Sequence, residues 1–343
     1  MASPGSAAAV VPRVRVVVLN HDGGDRLVRC IDALAATVWP AEALELVVVD
    51  NASHDGSVYL AEGRHPSVRV IHNRENTGFP ANNLALRDLR DVDYVALVNN
   101  DAYVEPDWLA PLVDTLEDDA SLGAACALLL FANEPVPTVN NAGNEVLWSG
   151  YGRDRGFGST DLAAYAEPAD VFAWCGAAVL LRPSYLADVG LFDERFFLYY
   201  EDTDLSWRGQ LRGWRYRFVP ESIVRHDHAA SSVSGSPFQL FHTERNRLVM
   251  LVKCAPAGLA ARAVLRFPLS AASYALHGNP SRALVHVRAF AGFVGLLPHA
   301  LRERRRVRGR GTVDDATVLA LLVCNRPATS AGRQAGRTPR NCR

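Results

Sequence analysis

The 343 residues carry 36 Lys and Arg against 37 Asp and Glu, a formal net charge of −1, with 49% hydrophobic and 21% charged residues. That is the balance of an ordinary globular protein, long enough for one large α/β domain with an appendage, and it offers no electrostatic reason to expect nucleic-acid binding. Six cysteines (Cys30, Cys126, Cys175, Cys254, Cys324, Cys342) include no C-x-x-C pair, which argues against a zinc site or a disulfide framework and fits a reducing, cytoplasmic compartment.

Residues 1–12 lack a basic n-region and read as a disordered lead. Val14 to Asn20 is a β-branched run closed by His21-Asp22-Gly23-Gly24, the pattern of a buried strand. Leu27, Ile31, Leu34 and Val38 then recur at helical spacing up to Pro40. Leu44 to Val49 predicts a second strand ending in Asp50-Asn51-Ala52-Ser53, Val68 to Ile71 a third, Ala81 to Leu89 a helix, and Tyr94 to Val98 a fourth strand ending in Asn99-Asn100-Asp101. Such alternation implies a mostly parallel, Rossmann-like sheet flanked by helices, and ligands in these sheets bind at the carboxyl ends of strands. The polar residues gather at those ends.

From about 105 to 170 the pattern loosens, and 140–144 and 150–158 read as loops. Gly176 to Leu181 predicts a strand, 205–211 a helix after an acidic segment, and 216–219 a strand. From 254 the chain turns Ala- and Leu-rich with interspersed Arg, predicting amphipathic helices, and past 324 it reads as a basic disordered tail. The expected division is a lead at 1–12, a catalytic-type α/β domain at 13–253, a helical extension at 254–323 and the tail at 324–343. No stretch reaches the roughly 20 apolar residues of a membrane span, because His277, Gly278-Asn279-Pro280, Arg282 and Arg288 interrupt 267–300.

Four polar clusters are candidates for chemistry. Asp50 closes a strand, where a loop-capping role is as common as a functional one. Asn99-Asn100-Asp101 crowds acceptors at a strand end, and a carboxylate there suits Mg²⁺ or Mn²⁺ with substrate phosphates. In Glu201-Asp202-x-Asp204 before Leu205-Ser206-Trp207-Arg208, helix capping and an i, i+4 pair explain Asp204 and Arg208. They leave Glu201 and Asp202 unexplained behind Phe196-Phe197-Leu198-Tyr199-Tyr200, aromatic cover that would raise a carboxyl pKa as a general base requires, with the helix dipole opposing. His226 and His228 follow an apparent strand end, and one of them can reach a metal.

Taken in order, these clusters resemble inverting glycosyltransferases of family 2 with the GT-A fold, in particular rhamnosyltransferase-like bacterial members. The resemblance runs from Val16-Val17-Val18-Leu19-Asn20 through Val49-Asp50-Asn51-Ala52-Ser53, Asn73-Arg74-Glu75-Asn76-Thr77-Gly78-Phe79, Asn99-Asn100-Asp101, Gly190-Leu191-Phe192-Asp193-Glu194, Glu201-Asp202-x-Asp204 and Gly213-Trp214 to Glu244-Arg245-Asn246-Arg247. It implies that Asp50 recognises the nucleotide base with Asn20 and Asn76 in the same pocket, and that Asn99, Asn100 and Gly176 lie against the donor. Asn99-Asn100-Asp101 stands where the family has D-x-D, so Asp101 would bind the divalent cation and His226 complete its site. Asn99 departs from the usual first aspartate. Asp202 would be the catalytic base with Glu201 beside it, and His228 has no counterpart.

The implied reaction is a single displacement from a nucleoside-diphosphate sugar, dTDP-L-rhamnose first, to a hydroxyl of a glycan or lipid-linked acceptor in cell-wall or polysaccharide biosynthesis. Trp148, Trp174 and Trp207 are candidates to stack on a sugar. Arg302 to Arg310 is a basic run that suits an anionic membrane surface at the inner face of the plasma membrane; alternatively 255–300 buries its apolar side in a homodimer. A sugar nucleotidylyltransferase would want a basic, Gly-rich phosphate loop, absent at Asn20-His21-Asp22-Gly23-Gly24. A non-catalytic sugar-binding relic would show damage at Asp101, Asp202 or His226, and none is lost.

Overall fold

The structure is a computed structural model, and it describes residues 11–227 and 235–324. Most of the expected lead, nearly all of the basic tail, and His228 lie outside the described residues.

The first half follows the predicted rhythm. β1 (Val14–Asn20), α1 (Asp25–Ala35), β2 (Leu44–Asn51), α2 (Ser57–Arg64) and β3 (Arg69–Asn73) come in that order, α1 burying Leu27, Cys30, Ile31 and Leu34. The helix expected over 81–89 is only a 3₁₀ turn and a short α3 (Asn83–Leu86). Asn83 ties this segment to Phe192 in both directions, its amide donating to the Phe192 carbonyl and its oxygen accepting from the Phe192 N–H.

β4 (Tyr94–Asn99) and β5 (Ala102–Val104) follow, then α4 (Leu109–Asp118) and β6 (Leu122–Phe131). β6 was not expected: all but its last residue are buried, so it shows no alternation to reveal it. The segments read as loops contain short strands, β7 (Val139–Asn141), β8 (Asn144–Val146) and β9 (Gly152–Asp154), and β10 (Ala169–Val171) precedes β11 (Ala178–Leu181). α5 (Pro183–Val189), α6 (Glu201–Gln210) and β12 (Arg215–His226) complete the α/β layer, β12 carrying an irregularity between Val219 and Ile223, around Pro220.

The main sheet runs β10-β12-β6-β11-β4-β1-β2-β3, with β5 beside β12 and β7 beside β6. β3, β2, β1 and β4 are mutually parallel, as are β6 and β12, but β11 is antiparallel to both β4 and β6. The sheet is therefore mixed rather than mostly parallel. Alternate side chains feed two cores: Val16 and Val18 pack with Leu27, Trp108 and Leu112, whereas Val17 packs with Val47, Leu97 and Tyr185.

A third core holds α7 (Pro237–Cys254), α8 (Ala257–Leu276), α9 (Pro280–Gly309) and α10 (Asp315–Ala320) against α6, through Trp207, Met250, Phe267 and Phe293. α9 runs 30 residues and is long and apolar enough, by length and composition, to cross a membrane, unlike the reading from sequence. It instead lies along α7 and α8, burying Ala289, Phe293 and Ala300. Buried Lys253 of α7 joins the layers, its Nζ 2.5 Å from Asp193 and 2.9 Å from Asp204, while His299 of α9 reaches Asp193 at 2.8 Å. Cys30, Cys126, Cys175 and Cys254 are free thiols.

Candidate active site

Strand register brings the predicted residues to one edge. Asn20 stands opposite Asp50, Leu19 opposite Asn99, and Asp50 opposite His72, so β1 to β4 end level with one another. Asp50 is buried, its Oδ1 accepting from the Ser53 N–H at 3.0 Å and its Oδ2 3.0 Å from His72 Nδ1. Burial alone would raise its pKa, yet Ser53 and His72 hold the carboxyl below its ordinary value. It stays an ionised acceptor.

Asn20 is fully enclosed. Its amide donates to Ser53 Oγ and Ser57 Oγ, both at 3.0 Å, and its oxygen accepts from Asn100 Nδ2 at 2.8 Å. These bonds occupy both hydrogens of the Asn20 amide and make it a strut between β1, α2 and Asn100. A Cβ at Gly23 would fall 2.2 Å from Asn20 Oδ1, which is why glycine follows there. Asn76 is exposed, and its oxygen accepts from Asn51 Nδ2 and the Gly78 N–H, both at 2.9 Å. Asn99 is half-buried at the end of β4.

Asp101 and His226 meet because β5 turns back against β12, setting Ala102 opposite His226. Asp101 Oδ1 lies 3.2 Å from His226 Nε2, and His226 Nδ1 lies 2.9 Å from the Asn140 side-chain oxygen. An amide oxygen only accepts, so Asn140 fixes a proton on Nδ1. In the neutral ring Nε2 then presents a lone pair to a carboxylate oxygen that is buried without an aligned donor. A cation between two such acceptors relieves the clash, and imidazole with carboxylate suits a divalent metal. Burial pushes the Asp101 carboxyl up, and only positive charge beside it (a donated Nε2–H of His226, Arg26 farther away, or a bound cation) holds it below its ordinary value. Among the described residues no three His, Cys, Asp or Glu gather as a complete metal cage, so the remaining ligands would come from water and phosphate oxygens.

Asp202 sits in the first turn of α6, after a strained approach: Phe197, Tyr199 and Tyr200 have φ of 65°, 69° and 70°. Asn246 of α7 holds that approach, its amide lying within 2.9 Å of the carbonyls of Phe196, Leu198 and Tyr199. Asp202 Oδ1 accepts from the Thr203 N–H at 2.5 Å and hydroxyl at 3.0 Å; Oδ2 accepts from Asn144 Nδ2 and the Gly176 N–H, both at 3.4 Å. Burial outweighs these bonds and, with nearby Asp154, raises the carboxyl to about 6. Adjacent Glu201 is buried, with Oε2 lacking any partner, and burial together with Asp202 pushes it well above the usual carboxylate range. Burial thus raises both neighbours, and the Asp202 charge adds to the cost of ionising Glu201. Asp204 pairs with Arg208 at 2.9 Å as its spacing predicts, but the pair is buried beside Lys253 rather than capping the helix.

One short segment connects the two halves of the site. Asn140 orients His226, Asn141 donates to Asn144 Oδ1 at 2.6 Å and to Asp154 at 2.7 Å, and Asn144 donates to Asp202. Sequence reading passed over these residues as a loop; three buried asparagines within five positions were the available signal. Trp174 and Trp207 are fully buried in the cores and cannot stack on a sugar, while Trp148 packs partly buried on the helical layer. Two clefts of about 410 and 490 Å³ lie elsewhere, around 188–195 with α9 and around Leu86 with α5, and neither includes Asp50, Asp101 or Asp202.

The family described as Glycosyl transferase family 2 matches residues 15–168, and Glycosyl transferase family group 2 matches 94–247. The N-acetylglucosaminyl-diphospho-decaprenol L-rhamnosyltransferase of Mycobacterium tuberculosis (strain ATCC 25618 / H37Rv) is 28% identical over 243 residues, 65% of this chain and 78% of that protein. The pre-mycofactocin glycosyltransferase of the same strain is 30% identical over 227 residues, 63% of this chain and 43% of that one. Among solved structures, GalNAc-T7 with UDP, GalNAc and Mn²⁺ superposes with a TM-score of 0.62 at 16% identity, over 85% of this chain and 57% of that one. The mannosyltransferase PcManGT of Pyrobaculum calidifontis, in complex with GDP-Man and Mn²⁺, gives 0.52 at 19%, over 93% and 89%. At such identities these structures show a shared GT-A-like fold. The two matched segments, which together span 15–247, and the 28% identical relative support a family 2 glycosyltransferase of the rhamnosyltransferase-like kind.

Proposed function

We propose that this enzyme transfers a sugar, with dTDP-L-rhamnose as first choice, from a nucleoside diphosphate to a hydroxyl of a glycan or lipid-linked acceptor, inverting the anomeric centre. The observation that carries the reading is the asparagine segment 140–144, which anchors both the His226–Asp101 pair and Asp202. The similarity to a rhamnosyltransferase supports the choice of sugar, and the name of that relative, which carries a diphospho-decaprenol, supports a lipid-linked acceptor.

In this reading Asp50 accepts from the nucleotide base, and the Gly176 backbone, packed against Phe79, lies beside the donor. A Cβ at Gly176 would meet the Phe79 ring at 2.7 Å. Asp101 and His226 would hold a divalent cation, which when bound supplies Lewis-acid stabilisation of the departing diphosphate. Asp202, ionised above about 6, takes the acceptor hydroxyl's proton as its oxygen attacks from the face opposite the leaving group. Burial and the neighbouring Asp202 charge disfavour the ionised form of Glu201.

A nucleotide-sugar panel scored by donor hydrolysis with Mn²⁺ tests the reading, with dTDP-L-rhamnose expected to be turned over fastest. Clear preference for a UDP- or GDP-hexose would overturn the donor assignment, and full activity after thorough chelation would remove the cation. Near-normal turnover by Asp202→Asn would remove the base.

A further inference from the structure

We infer that the α8–α9 hairpin is a docking surface for an anionic membrane. Between residues 255 and 302 the chain has no Asp or Glu and five arginines, Arg262, Arg266, Arg282, Arg288 and Arg302, although the whole protein is nearly neutral. All five are exposed. Interleaved with them are exposed apolar side chains at helical spacing: Leu265, Leu269 and Leu276 on α8 are 75%, 68% and 85% exposed, and Leu284, Val287 and Val294 on α9 about half exposed. A monomeric surface rarely leaves so much apolar area uncovered without a partner.

Charge selects the occupant. A second copy of the hairpin would set five arginines against five with no acid to pair them, which disfavours self-association. An anionic bilayer answers both features, since the arginines meet headgroup phosphates while the leucines enter the acyl boundary. The hairpin lies on the bilayer rather than through it, because α9 keeps Ala289, Phe293 and Ala300 buried in the helical core and His286 3.6 Å from Glu244.

The structure also removes part of the basic run that the sequence singled out from the contact. Arg304 donates to the carbonyls of Val252 and Ala255, Arg308 to that of Cys254, and Arg310 to that of Asp188. Those three arginines close the end of α7 and the α5 corner and are largely spent. The purpose of docking rests on the lipid-linked acceptor proposed above; the docking itself does not.

The test is co-sedimentation of the full chain with vesicles of phosphatidylcholine alone and with phosphatidylglycerol added. Binding is expected only with the anionic lipid and should weaken steeply with salt. Leu265→Gln with Leu269→Gln and Leu276→Gln should lower the partition coefficient at least about tenfold, with donor hydrolysis and circular dichroism unchanged. Arg262→Gln with Arg266→Gln should abolish the preference for phosphatidylglycerol. Absence of sedimentation at low salt, or a triple leucine variant that binds like wild type, would overturn the proposal. So would a dimer, seen by light scattering, that the leucine variant dissolves. Loss of all donor hydrolysis in the unmodified chain would instead strike the catalytic reading and leave vesicle binding standing.

Discussion

The acidic limb of the pH–rate profile should belong to Asp202. Its carboxyl is raised to about 6 by burial, with Asp154 adding to the rise and the bonds from Thr203 and Gly176 opposing it. A base must be ionised to act, so kcat/KM should fall with unit slope below about pH 6. Thr203→Val removes the hydroxyl donated to Oδ1 at 3.0 Å and leaves the backbone N–H bond at 2.5 Å. A hydrogen bond to a charged group contributes about 1.5–3 kcal/mol and one pKa unit is about 1.4 kcal/mol, so losing this one should move the limb up by about one to two units. Asp154→Asn removes a neighbouring negative charge and should move it down. The assay is donor hydrolysis and transfer measured from about pH 4.5 to 9 at fixed metal, with each variant's fold checked by circular dichroism. A wild-type limb near the ordinary carboxylate range, or two variants shifting the same way, would refute the reasoning.

The same shift has a consequence for stability. An acid whose folded pKa is raised contributes stability below its unfolded value near 3.8 and loses it as pH rises through about 6. Asp202→Asn should therefore abolish turnover yet stabilise the protein by up to about 3 kcal/mol above pH 7, with no gain near pH 4, measured by urea denaturation at both pH values. Asn140→Ala frees the ring that faces Asp101 and should weaken Mn²⁺ binding about 10–100-fold, read by titration in the presence of a nucleoside diphosphate; unchanged affinity would remove Asn140 as the orienting partner. Lys253→Met leaves Asp193 and Asp204 without their ammonium and should destabilise the fold by about 3–5 kcal/mol in chemical denaturation. Asn246→Ala releases three carbonyls of the strained approach to α6 and should lower kcat more than it raises donor KM.

What the sequence determined by itself is the part written in local periodicity. β1, α1, β2 and β4 fall where β-branched runs and helical spacing place them, and strands of similar length brought Asp50 and Asn99 to one edge without further information. Asp204 and Arg208 pair as their i, i+4 spacing requires. Tertiary structure decided the remainder, because the contacts concerned join residues far apart in the chain. β11 reverses between β4 and β6 and makes the sheet mixed, and β6, almost wholly buried, carries no alternation by which to be found. His226 meets Asp101 only because β5 turns back on β12, and Asn140 and Asn144 show their use only when His226 and Asp202 arrive beside them. The upward shifts of Glu201 and Asp202 depend on how much each is desolvated and by what. Adjacent acids look alike in sequence; their surroundings, supplied by distant segments, set them apart.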